Sequence, residues 1–223
     1  MINVNFSTDV YNGAAASTDF GSSQFWNKTF SRSGESITNL KNSDGDGSTV
    51  SFVYDPDGVG TMSHSESAFY TGTNPADDNL MGSYMYYTGA HPLDHMTFGG
   101  LVAGENYELY IYTQSENNVE IPEQLIFRVN DGSYVTSTAN NGKTGTFTPG
   151  LNYVLGTYSA NSSGQLVIDY AATGTSNRVV INGLQLRGPA TPEPASLVLL
   201  GIGGLLGARR LKKKSGKTSV PAV

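Results

Sequence analysis

Apolar and polar residues alternate in short runs along most of residues 1–187, and no segment before Ala195 keeps a helical period. Successive side chains of a strand point to opposite faces, so runs of this kind specify half-buried strands. The alternation marks Ile2–Phe6, Thr49–Tyr54, Tyr84–Tyr87, Met96–Leu101, Tyr107–Tyr112, Leu125–Asn130, Tyr134–Thr138, Asn152–Tyr158, Gln165–Tyr170 and Arg178–Leu186. Between them stand turn residues: Ala103-Gly104-Glu105-Asn106, Asp131-Gly132, Asn161-Ser162-Ser163-Gly164 and Thr173-Gly174. Asp-Gly between alternating runs is a strong hairpin signal. About ten short strands at this spacing predict an all-β fold, an antiparallel β-sandwich or jelly roll over residues 1–188. No repeat is visible, which counts against a β-helix or a propeller.

The C-terminal end, residues 189–223, obeys a different pattern. Thr191-Pro192-Glu193-Pro194 is followed by a charge-free run from Ala195 to Ala208 and then by Arg209, Arg210, Lys212, Lys213 and Lys214, within a basic stretch over 209–217. Prolines break regular structure, so the order predicts a stiff hinge, one short apolar helix over 195–208, and a basic anchor. Fourteen helical residues reach about 21 Å, against a hydrocarbon core of about 30 Å. The segment is short for a permanent span and suits a bilayer contact held until a processing enzyme cuts it. Basic clusters stay on the cytoplasmic side, which puts the body across the membrane from residues 209–217.

Charge divides the chain in the same place. Residues 1–189 hold 18 acidic and 7 basic side chains, a net −11, while the remainder holds 1 and 6, a net +5. An acidic body opposes phosphate, so nucleic acid is not an expected partner. With no cysteine, disulfide staples and thiolate metal sites are excluded. A body of this length buries a sufficient core without them.

The order Pro-Glu-Pro, apolar segment, basic cluster at the C-terminus resembles the PEP-CTERM sorting signal of exosortase substrates, a tail type also described as a C-terminal domain of ice-binding proteins. The resemblance implies that Pro192, Glu193 and Pro194 are the recognition and cleavage region, that Arg209 and Arg210 belong to the retention anchor, and that the partner is a membrane-embedded exosortase. It also implies delivery of the body to the cell surface or an exopolysaccharide matrix. Such a protein is expected to carry an export signal, and Met1–Phe6 alternates like a strand rather than showing the basic and apolar regions of one. The body is similar to the galactose-binding-like jelly rolls: an Ile-Asn-Val-Asn-Phe opening strand, Trp26-Asn27, Asn39–Gly45, the Leu-x-x-Gly-x-x-Tyr phrase at Leu101–Tyr107, and a closing Ile181–Leu186 strand. That likeness implies carbohydrate recognition without catalysis.

Several residues are candidates for that chemistry. Trp26, the one tryptophan, is flanked by amides in Gln24-Phe25-Trp26-Asn27. An exposed indole stacks on the C–H face of a sugar while Asn27 bonds hydroxyls; a buried one anchors a sandwich core, and both readings stand. Tyr70 and Tyr86, within Phe69-Tyr70 and Tyr84-x-Tyr86-Tyr87, offer a second platform, although alternation exposes half of any such group. Asp44 and Asp46, in Asn42-Ser43-Asp44-Gly45-Asp46-Gly47-Ser48, resemble half of an oxygen-ligand calcium loop without its twelfth-position acid, and Asp-Gly pairs are equally turns. No cofactor is expected, a structural calcium at Asp44 and Asp46 being the alternative to a plain turn, and an extracellular polysaccharide is the ligand expected. His91 and His95 stand four apart, but Pro92 opposes the helix a zinc pair needs, and no nucleophile elbow or phosphate loop occurs. A matrix protein or adhesin without a defined glycan is the alternative. Ice binding would require a flat, regular threonine face; Thr136 and Thr138 alternate in one strand, but no such array repeats.

Overall fold

The computed structural model describes residues 1–7, 15–16, 24–29, 34–55, 61–64, 80–88, 94–114, 124–138, 146–172 and 178–189. Two compact units divide the chain, Met1–Gly188 and Pro189–Val223. The apolar segment 195–208, Pro192, Glu193, Pro194, Arg209, Arg210 and Tyr70 lie outside the described residues. Among the described residues no helix is long and apolar enough to cross a membrane.

The first unit is a β-sandwich. Its strands are β1 (Ile2–Asn5), β2 (Asn27–Lys28), β3 (Glu35–Ile37), β4 (Ser51–Asp55), β5 (Thr61–His64), β6 (Ser83–Thr88) and β7 (Asp94–Gly99). They continue with β8 (Asn106–Tyr112), β9 (Leu125–Val129), β10 (Val135–Thr136), β11 (Tyr153–Ser159), β12 (Leu166–Ala172), β13 (Arg178–Ile181) and β14 (Gly183–Arg187). A five-stranded sheet runs β11-β8-β14-β1-β2, a six-stranded one β10-β9-β12-β7-β4-β3, and a small third one β13-β6-β5. Among the described residues all pairings between these strands are antiparallel except β1 with β2.

Three of the extra strands, β2, β3 and β5, hold two to four residues each, too few for alternation to register. The fourth arises because the expected Arg178–Leu186 strand is two. It breaks at Asn182, whose buried amide donates to the carbonyls of Met81 and Gln114 at 2.9 and 3.0 Å and accepts from the Gln114 N–H at 2.7 Å. Upstream residues then pair in the small sheet and downstream ones in the five-stranded sheet. Gly183 completes the break, because a Cβ there would meet the Val4 carbonyl oxygen at 2.8 Å and a methyl of Leu80 at 2.9 Å.

Alternation explains the core. Val4, Leu109, Ile111 and Leu184 face Phe52, Met96, Phe98, Phe127, Leu166 and Ile168 across the sandwich, all buried. Phe52 and Phe98 lie 5.0 Å apart, and Phe6 meets Phe52 and Tyr54 edge-on. Each such side chain stabilises the fold by roughly 1.5–3 kcal/mol. At Leu101–Tyr107 the expected corner is present: the Val102 N–H donates to the Tyr107 hydroxyl at 2.9 Å, and Gly104 adopts φ 79°, a conformation that suits glycine.

The two large sheets differ on their outer faces. The outer face of the five-stranded sheet is buried under a second cluster, in which Tyr110, Tyr112 and Tyr153 meet Trp26, Leu80, Met81, Tyr84 and Val180. Amides are threaded through it: Asn3 donates to Gln24, Gln185 donates to Asn3 and Gln24, and the Tyr112 hydroxyl donates to Gln185. By contrast, the outer face of the six-stranded sheet keeps Val53 37% exposed and carries His95, Arg128 and Asp169.

Candidate functional site

Trp26 is 3% exposed, edge-on to Tyr112 with ring centroids 6.2 Å apart. Of its two readings the structure places it as a core anchor, and its indole presents no face to a ligand. Its neighbour turns outward instead: Phe25 is 38% exposed, with the Lys41 ammonium 5.1 Å from the ring centroid. The Asn27 amide is occupied as well. It donates to the carbonyls of Asn3 and Lys41 and accepts from the Lys41 N–H, at 2.8–2.9 Å. Asn27 therefore ties the second strand to the loop at Lys41–Gly47 rather than waiting for a sugar.

In that loop Asp44 and Asp46 are exposed, and their backbone N–H groups donate to the Asn42 side-chain oxygen at 3.0 and 2.9 Å. Asn42 thus closes the turn with its own side chain, the usual work of asparagine in such positions. Among the described residues no group of three histidine, cysteine or acidic side chains gathers as a metal cage would require. Tyr86 sits in β6, opposite Val180 and Thr61.

A different constellation forms on the open face. His95 in β7 pairs in register with Asp169 in β12, and Asp169 pairs with Arg128 in β9. All three belong to the outward set, since Met96, Ile168 and Phe127 beside them point into the core. Asp169 is 6% exposed at its side chain and receives two charge-assisted bonds, from His95 Nδ1 at 2.6 Å and from Arg128 Nε at 2.7 Å. The Asp169 hydrogen bond raises the pKa of Arg128 above its already high ordinary value. A carboxylate held by arginine only accepts, so it takes the proton of His95 Nδ1 and leaves Nε2 on the side away from Asp169.

The hairpin beyond β9 finishes the site. Asn130 and Asp131 have φ of 49° and 58°, and the Gly132 N–H donates to the Val129 carbonyl at 2.9 Å, a turn that both side chains tolerate. This places Asp131 Oδ1 3.1 Å from Arg128 Nη2 and Tyr134 against the guanidinium, 5.3 Å from ring centroid to carbon. Tyr134 remains 51% exposed. Together His95, Arg128, Asn130, Asp131, Asn161, Val167 and Asp169 line a cavity of about 370 Å³. Asn130 is spent on structure, donating to the carbonyls of Ser159 and Gln165 and accepting from the Val167 N–H. Asn161 accepts from the N–H groups of Ser163 and Gln165, which leaves its Nδ2 for a ligand.

The cavity therefore offers several directional groups on a preorganised frame: the outer N–H groups of Arg128, His95 Nε2, Asn161 Nδ2 and the rim carboxylate of Asp131. An aromatic ring stands at its edge through Arg128. Such polar groups fix the orientation of a small hydroxylated ligand. His95 was visible in the sequence only as half of a histidine pair whose other member, His91, lies outside the described residues. The signal that finds the cluster is one charged residue at an outward position in each of Asp-His-Met-Thr-Phe, Leu-Ile-Phe-Arg-Val and Leu-Val-Ile-Asp-Tyr.

Residues 190–214 match the PEP-CTERM protein-sorting motif. No curated protein matches the chain. Among solved structures, the chain is similar to the plant receptor-like kinase ANX2, with 9% identity, 73% of this chain and 57% of that one covered, and a TM-score of 0.43. An exo-β-1,3-galactanase from Phanerochaete chrysosporium, solved with β-1,3-galactotriose, gives 16% identity, 71% and 30% coverage and a TM-score of 0.38. A family 35 carbohydrate-binding module from Clostridium thermocellum gives 13% identity, 60% and 92% coverage and a TM-score of 0.39. The chain thus spans little more than half of the receptor structure and less than a third of the galactanase.

Proposed function

We propose that this is an exported protein, sorted through its C-terminal signal by an exosortase, whose sandwich binds carbohydrate at the cell surface or in the extracellular matrix without catalysing its turnover. The export half rests on the sorting motif at residues 190–214. The binding half is carried by the Arg128–Asp169–His95 cluster, whose two cationic or donor side chains are held on one buried carboxylate beside half-exposed Tyr134. Preorganisation of this kind lowers the entropic cost of binding. Contact would be shallow, with hydroxyl groups meeting Arg128, Asn161 and Asp131 and a sugar face resting near Tyr134. Affinity for one sugar unit is then modest, and many copies on a surface raise it through avidity.

Affinity electrophoresis of the full chain in gels containing a panel of polysaccharides, including the producer's own exopolysaccharide, tests the reading. Retardation by at least one polymer, lost in Arg128→Gln and in Tyr134→Ala while both variants stay folded, is the result expected. A folded wild-type chain that migrates unretarded in every gel would refute it.

A further inference from the structure

We infer that the cavity selects neutral glycans presenting adjacent hydroxyl groups and discriminates against acidic ones, an inference that rests on the carbohydrate reading above. Arg128 Nη2 and Asp131 Oδ1 stand 3.1 Å apart, so a donor and an acceptor lie side by side at the cavity rim. A hydroxyl both donates and accepts, whereas a carboxylate only accepts. Two neighbouring hydroxyls therefore engage the pair together, one accepting from the guanidinium and the other donating to Asp131. A uronate carboxylate that takes the outer N–H groups of Arg128 has no proton to give Asp131 and instead confronts that side chain, 86% exposed at the rim, with Asp169 behind. Two carboxylates against one guanidinium leave the cavity negative when His95 is neutral. The rest of residues 1–189 adds to the repulsion, since the body carries 18 acidic against 7 basic side chains, a field that lowers the local concentration of anions.

The test compares alginate, polygalacturonate and hyaluronan, each with its carboxyl-reduced neutral counterpart, by affinity electrophoresis of the full chain at pH 8 in low salt. Each pair holds linkage constant and removes only the charge. The expected result is tighter binding to the reduced polymer by about fivefold or more, the size of one like-charge contact screened by water. That gap narrows in 0.5 M salt, roughly beyond the range of surface charge effects, and in Asp131→Asn, which keeps the backbone conformation of the turn. Equal or tighter binding to the acidic form overturns the inference, as does a gap that Asp131→Asn leaves unchanged. If no polymer of either kind binds a folded chain, the carbohydrate reading itself falls, and this inference with it.

Discussion

Replacing Asp169 by asparagine tests whether one buried carboxylate organises the site. The side chain is 6% exposed and accepts from His95 at 2.6 Å and from Arg128 at 2.7 Å. An asparagine there retains shape but sets an N–H group against one of the two donors. Hydrogen bonds to charged groups contribute about 1.5–3 kcal/mol each, an upper bound here, because His95 and Arg128 are 48% and 27% exposed and water replaces part of what is lost. Arg128 also keeps Asp131. A loss of about 2–3 kcal/mol follows for the pair of bonds, which a domain of ordinary stability, roughly 5–15 kcal/mol, survives folded. Urea denaturation followed by circular dichroism measures it, and a double-mutant cycle with Arg128→Met isolates the Arg128–Asp169 coupling. A change under about 0.5 kcal/mol, the range of ordinary surface substitutions, would mean that the cluster is not held as described.

Four further outcomes follow from other parts of the chain. Trp26→Ala should cost about 3–5 kcal/mol in urea denaturation as a large core deletion, whereas Phe25→Ala, at an exposed position, should stay within about 0.5 kcal/mol; similar values for the two would contradict the burial assigned here. Among the described residues neither amide atom of fully buried Asn5 has a hydrogen-bond partner, so Asn5→Leu should raise stability by about 1 kcal/mol, read as a higher urea midpoint. Burial raises the pKa of Tyr158 above its ordinary 10. The folded state then holds that proton longer than the unfolded one, so stability present below pH 10 is lost as pH rises further, and Tyr158→Phe should flatten the alkaline limb of a stability-against-pH profile. At the tail, mass spectrometry of the surface-released protein should find residues 209–217 missing in wild type and retained in Pro194→Ala, which stays with the membrane fraction.

The fold was legible where a strand is long enough to show its parity. Met96–Leu101, Tyr107–Tyr112 and Gln165–Tyr170 were readable because six alternating residues outweigh local accidents, and Asp131-Gly132 announced its turn. The two-residue strand at Asn27–Lys28 carries no such signal. The break at Asn182 depends on Met81 and Gln114, 101 and 68 residues away in sequence. Trp26 shows the limit at a single residue: alternation says that Phe25 and Trp26 face opposite ways, but not which faces the core. The cluster was harder still, because His95 and Asp169 are 74 residues apart and Arg128 and Asp169 are 41 apart. Only the strand order β9-β12-β7 brings them into one row, and that order is set by packing of the opposite face. The sorting motif was readable because its three parts are contiguous and need no tertiary partner.

Nuclear magnetic resonance of the ¹⁵N-labelled full chain in detergent micelles, titrated with oligosaccharides from a polymer that retards it, locates the binding surface most directly. The account predicts shifts centred on the amides of Arg128, Asp131, Tyr134 and Asn161, with the Trp26 indole unmoved on the other side of the sandwich. Shifts centred instead on Phe25–Asn27 and Lys41–Gly47, or on the Trp26 indole, would contradict it.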